Sequence, residues 1–329
     1  MFKSLYKKAL VSLVLMALLT GFSSSAAQTS STTTALYKSD LKVHFIDVGN
    51  NEDEDTIKKY LASKSVKKLD YFIATHPHED HIGAADAVVS SYEIGSIYAP
   101  KVISNTKTYE NFLNVVKKKG MKIKSPEAGS YILNDKSQLS IQVLAPNSAK
   151  YDELNDYSIV LKLKYKNVSF LLTGDAETVS EKEMLAKKYD LNANVLKVGH
   201  HGSKSSTFLS KVNPQYAIIS AGKGNEYGLP TAETLAKLSK AGIKVYRINE
   251  SGTITFTSDG NKITIDKKAS AIKENAPPVQ AIKYIGNKNT KKFHLETCGS
   301  LPELKNQLYF KIRDEAIKAG YIPCKICNP

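Results

Sequence analysis

Residues 75–81 read THPHEDH and close the apolar, β-rich run LDYFIATH. His76, His78, Asp80 and His81 fall within six positions. Ionisable groups packed this densely at the end of a buried strand need a shared counter-ion, because an unpaired charge is costly to bury. Two histidines at i and i+2 on an extended segment point to the same side. A helix beginning at Asp80 then sets Asp80 and His81 beside them. Such a donor set suits a divalent metal ion, and it requires a strand that runs directly into a helix at a sheet edge. Surface histidines beside a helix-capping Asp80 are the alternative, and capping is compatible with metal binding.

Two later segments have the same form. LLTGD ends a strand at Asp175, and GHHGS ends another at His200, His201 and Ser203. Taken alone, the first reads as a helix cap and the second as a polar loop. Around them the pattern alternates from Leu41 onward. Strands are expected at 41–47, 69–76, 139–146 and 194–202, and in YAIISAG and IKVYRI. Helices are expected at 53–63, 81–92, 106–119, 179–189 and 231–240. Hairpins are expected over 158–175, turning at Lys166 and Asn167, and around Asp259-Gly260.

With HxHxDH, TGD and GHHGS in this order, together with IDVG (46–49), NDYSIVL and NEYGLPTAETL, the chain resembles the metallo-β-lactamase superfamily. More narrowly, it is similar to the hydrolase domain of DNA-uptake competence proteins of the ComEC type and their secreted stand-alone relatives. The resemblance covers Leu41 to about Ile265 and implies an α/β fold, a four-layer αβ/βα sandwich with its metal centre at the edge of two sheets. It implies two divalent ions, zinc or manganese. His76 and His78 would bind the first; Asp80, His81 and His200 the second; Asp175 would bridge them, and His201 is a further candidate ligand. Asp80 and His81 are the catalytic candidates, with a metal-bound hydroxide as nucleophile. Asn155, Ser203 and Lys204 are the candidate substrate contacts.

The sequence also departs from that family. Asn155 stands near the place where many members have another histidine ligand. Tyr227-Gly228-Leu229-Pro230 replaces a YGHP pattern. Gly49 runs straight into NNEDED, so an edge hairpin of roughly 20 residues, two strand lengths, is missing. Asp47 alone is left to supply the supporting aspartate. The implied activity is hydrolysis of phosphodiesters in DNA or nucleotides. Hydrolysis of another ester, lactone or lactam is one alternative, and an inactive metal- or DNA-binding remnant is another.

Both ends differ from the middle. Lys3, Lys7 and Lys8 precede the apolar run Ala9–Phe22 and the small residues Ser23–Ala27. This has the form of a secretory signal over 1–27, and the run is short for a membrane span. Residues 28–40, rich in Ser and Thr, read as a flexible lead-in. The hydrolase domain is expected over 41–267, a Pro-containing linker over 268–280 and a small unit over 281–329. That unit holds all three cysteines, in HLETC and CKIC. His294, Cys298, Cys324 and Cys327 fit a closed four-ligand structural zinc site, one disulfide with a free thiol being the alternative. The segment resembles the Ada-type zinc-binding module. The chain carries +14 net charge, and nine basic against four acidic residues lie in the last 49. That excess suits DNA or an anionic cell envelope as partner, and the protein is expected to be extracellular.

Overall fold

The computed structural model describes residues 12–16, 34–38, 43–134, 139–203, 208–225, 227–272, 284–296, 298–310, 313–325 and 327. Lys204 and most of the signal-like segment lie outside them. The chain divides into two compact units, residues 1–274 and 275–329.

Two sheets organise the first unit. In one, Val43–Ile46, Lys68–Ile73, Glu93–Tyr98 and Ile123–Lys124 run parallel, each beside the next. Thr34–Lys38 and Ser12–Met16 extend its far edge in antiparallel pairing. These two strands come from the segments read above as lead-in and leader. After Gly49 the chain passes through one short helical turn, Asn51–Asp53, into the helix Glu54–Ser63, and no hairpin intervenes. The second sheet has the order Lys244–Arg247, Tyr216–Ile219, Val195–Lys197, Val168–Leu172, Val160–Tyr165, Leu139–Ala145, Tyr131–Asn134. Its first four strands are parallel and its last three pairings antiparallel.

Alternation of side chains separates the layers. Ile46 and Ile73 of the first sheet meet Ile141, Leu161, Leu163, Phe170 and Leu172 of the second in a central core. Phe72 and Ile97 point outward and pack with Ile57, Leu61, Val88, Phe112 and Val116 from the helices Glu54–Ser63, Ala85–Ser91 and Lys107–Lys118. On the opposite side, Leu171, Leu196, Ala217 and Val245 pack with Met184, Val212 and Leu238 from Thr178–Ala186, Leu209–Val212 and Ala232–Lys240. The result is four layers, helices, sheet, sheet and helices.

The expected helix 81–92 is broken into Glu79–Ile82 and Ala85–Ser91. Gly83 causes the break. Its N–H donates to Gly49 O at 2.6 Å, and a Cβ there would lie 2.1 Å from the Asn50 carbonyl carbon. The first of the two helices starts at Glu79, two residues before the expected 81, with His78, not Asp80, at its N-cap. Besides the two edge strands already described, three strands of this unit, Glu93–Tyr98, Ile123–Lys124 and Tyr131–Asn134, fall where the sequence pattern predicts none.

The second unit is a sheet of four short strands, in the order Gln307–Phe310, Tyr284–Asn287, Lys292–Leu295, Ile322–Pro323. Its core is small: Phe293, Phe310, Ala316 and Tyr321, with Tyr284 against them.

Candidate metal centre

Parallel strands deliver their C-terminal ends to one rim. Asp47 follows Val43–Ile46, residues 76–81 follow Lys68–Ile73, Asp175 follows Val168–Leu172, and His201 follows Val195–Lys197. The sheets are stitched at this rim by Ile159 N–H donating to Thr75 O (2.9 Å), and within the second sheet Asp175 N–H donates to Ser158 Oγ (3.0 Å).

Asp80, His81, Asp175 and His201 converge there. One ligand atom from each lies within 4.8 Å of all the others. His201 Nε2 is 2.9 Å from both Asp80 Oδ2 and Asp175 Oδ2. His81 Nε2 is 3.2 Å from Asp175 Oδ1 and 3.5 Å from Asp80 Oδ2, aligned for a hydrogen bond with neither.

The far ring nitrogens fix both imidazoles. His81 Nδ1 donates to Asp47 Oδ2 at 2.8 Å, and His201 Nδ1 donates to the Ser220 carbonyl at 2.6 Å. A carboxylate and a carbonyl only accept here, so each Nδ1 carries the proton and each Nε2 faces the cluster. This is the orientation that metal-ligating histidines adopt. Asp47 also accepts from Thr75 N–H (2.8 Å) and Thr75 Oγ1 (2.9 Å). The supporting aspartate therefore survives the loss of the hairpin.

Electrostatics agree. Burial opposes charge on both His81 and His201. Nevertheless the neighbouring Asp175 and Asp80 carboxylates hold His81 well above the usual imidazole range and raise His201 to about 9. Burial likewise opposes ionisation of Asp80 and Asp175, but His81 and His201 hold both carboxyls below their ordinary range. Two imidazoles and two carboxylates compacted this way fit a divalent ion, with the protons of the metal-free protein standing in for its charge.

His76 and His78 stand together at the side of this group. His76 Nε2 is 3.1 Å from His78 Nδ1, and the His76 and His81 rings are 4.1 Å apart. Burial holds both His76 and His78 in their neutral forms.

His200 is elsewhere, contrary to the ligand set implied by resemblance. Its Nδ1 is 2.5 Å from Glu177 Oε1, and its Nε2 is 3.4 Å from Asn155 Nδ2. His200 and His201 both have positive φ, 40° and 52°, so the chain reverses between strand and loop and sends the two rings in different directions. Asn155 also donates to Glu177 Oε1 at 3.3 Å. Ser203 continues the loop, its carbonyl accepting from Thr234 Oγ1 at 2.5 Å. Gly202 (φ +85°) packs under Pro230, 2.6 Å from where a Cβ would stand.

Sequence reading missed Lys197 and Glu177. Lys197 is buried; its Nζ donates to Gly174 O (2.7 Å) and lies 3.5 Å from Asp175 Oδ1. A lysine inside the otherwise apolar run NVLKVG was the available signal.

In the second unit, His294, Cys298, Cys324 and Cys327 offer one ligand atom each within 4.8 Å of one another. All three thiols are free in this structure. His294 Nδ1 lies 3.4 Å from Cys298 Sγ, and Leu295 N–H points to Cys327 Sγ at 3.4 Å. Burial, with the adjoining thiols, pushes Cys327 up to about 11. A cation among these donors would reverse that shift.

Comparison with known proteins follows the same division. Residues 31–223 match the metallo-beta-lactamase superfamily, and residues 267–329 match the metal binding domain of Ada. The chain is 35% identical over 206 residues to ComE operon protein 3 of Bacillus subtilis, covering 62% of this chain and 26% of that protein. It is 30% identical over 201 residues to competence protein ComA of Neisseria gonorrhoeae, covering 60% and 26%. The chain thus spans about a quarter of the length of these relatives. Among solved structures, YhfI of Bacillus subtilis, a metallo-beta-lactamase fold protein, aligns with a TM-score of 0.49 at 12% identity, covering 78% of this chain and 99% of that one.

Proposed function

Because the chain belongs to the metallo-β-lactamase superfamily of metal-dependent hydrolases and ends in a metal binding domain of Ada, we propose that it is a secreted phosphodiesterase acting on DNA. The observation that carries this reading is the buried Asp80–His81–Asp175–His201 cluster, with His76 and His78 alongside. These residues would hold divalent ions, and His294, Cys298, Cys324 and Cys327 would hold a structural zinc. Bound in the hydrolase unit, such ions supply a lowered water pKa and positive charge for the phosphoryl oxygens.

The chain's own residues do the rest. Asp47 and the Ser220 carbonyl keep His81 and His201 turned inward. Lys197 anchors the loop that carries Asp175. Glu177, His200 and Asn155 form a polar, partly exposed group beside His201, suited to orient a phosphodiester. A name built on competence, borne by one relative, and the net charge of +14 support a polyanionic substrate. The basic second unit would tether the enzyme to DNA or to an anionic envelope polymer. Asp47's three hydrogen bonds argue against an inactive remnant.

The test is a nuclease assay on the metal-loaded chain. Cleavage of DNA should vanish on chelation and in Asp80→Ala. Failure to cleave DNA, RNA and an aryl phosphodiester alike would sink the assignment.

A further inference from the structure

We propose that the hydrolase unit rests with one divalent ion, held by Asp80, His81, Asp175 and His201, and that a second ion joins at His76 and His78 only together with an anionic phosphoryl ligand. The choice of anion rests on the phosphodiesterase reading; the unequal occupancy does not.

The two places differ in the donors they offer. The cluster of Asp80, His81, Asp175 and His201 offers four ligands at once. His76 and His78 offer two imidazoles, 3.1 Å apart at their facing nitrogens. A third donor there has to come from Asp175, already engaged with His81 and His201. Asn155 stands near the place where many members of the resembled family have another histidine ligand, and its amide is turned to Glu177 and His200.

They also differ in charge. Asp47, Asp80 and Asp175 are three carboxylates in or against the cluster, and Lys197 is a buried ammonium 3.5 Å from Asp175. Ligating imidazoles are neutral. The set therefore carries two negative charges, and one divalent ion balances it. Glu177 is partly exposed and is engaged by His200. A second divalent ion beside two neutral histidines adds two uncompensated positive charges at a largely buried place, which is strongly unfavourable. A phosphodiester or phosphate brings both the missing negative charge and oxygen donors.

The experiment uses the full chain, its tail preloaded with zinc, titrated with Mn²⁺ while free Mn²⁺ is followed by electron paramagnetic resonance. One equivalent should bind without anion. A second should bind only after dimethyl phosphate or inorganic phosphate is added, its affinity rising by about tenfold or more. His76→Ala should keep the first equivalent and lose the anion-dependent one. Lys197→Met, where circular dichroism shows it folded, should admit the second ion without anion. Two equivalents of equal affinity in the absence of anion would overturn the proposal, as would no second uptake with either anion. DNA cleavage is a separate readout. The predicted uptake in a protein inert toward DNA removes only the substrate reading, whereas equal uptake in an active nuclease removes only this one.

Discussion

His200 and His201 are neighbours in the chain and opposites in role. His201 faces Asp80 and Asp175, while His200 rests on Glu177. Substituting each by alanine should therefore give different defects. His201→Ala should lose the tightly bound ion of the hydrolase unit, read by metal analysis after dialysis. His200→Ala should retain that ion and lose turnover. Asp47→Asn keeps the size but weakens the acceptor for His81 Nδ1, and should lower metal affinity by about 10–100-fold. Protonation sets a further expectation. In the metal-free protein His201 keeps its proton up to about 9. That proton stabilises the fold fully below the unfolded value of about 6.5, and the contribution is lost as pH rises through about 9. Metal must displace it, so apparent affinity should fall roughly tenfold per pH unit for each imidazole proton released as pH drops below 9. Calorimetric titrations in buffers of different ionisation enthalpy would count the protons; uptake without proton release would contradict the assignment.

Much of the scaffold is legible as element type, because strand alternation and helical spacing report burial directly. LDYFIATH, the 158–175 hairpin and the Asp259-Gly260 turn emerge as read, to within a few residues. What is hidden depends on contacts between distant segments. EIGSIY buries Ile94 and Ile97, three positions apart and with a glycine between them, so no period of two marks it and only the neighbouring strand Lys68–Ile73 reveals it. The break at Gly83 follows from its approach to Gly49 and Asn50 and has no local signal beyond the glycine itself. The choice between His200 and His201 turns on two positive φ values that hydrophobic pattern does not encode. Lys197 is an apolar-strand lysine whose partners are set by the loop at Gly174. At this scale the loop of His201 is braced by Thr231, whose N–H donates to Gly202 O (3.0 Å) and whose hydroxyl accepts from Thr234 N–H (3.2 Å). Thr231→Ala should cost about 1 kcal/mol in stability as a lost helix cap, measured by urea unfolding. Gly83→Ala should cost more, since backbone stands where its Cβ must go.

The two units differ in how they are held together. The first has three separate apolar clusters, including a central one with Phe170 and Phe256. The second has a core of four residues and a ring of four metal-type ligands. So small a core cannot stabilise a unit of this length without help. Strong chelation should therefore open the second unit to trypsin while the first stays resistant, the cuts falling at lysines and Arg313 between residues 284 and 325. Equal protection with and without chelator would show that the small unit stands without metal.

The hydrolase centre takes its ligands from both sheets: His76, His78, Asp80 and His81 from one, Asp175 and His201 from the other. Neither sheet alone carries a complete set. The chemistry is thus an assembly signal, present only once the central layer has closed. A chain that is half made, half threaded or half unfolded holds no complete ligand set, and closure of one sheet on the other is what completes it.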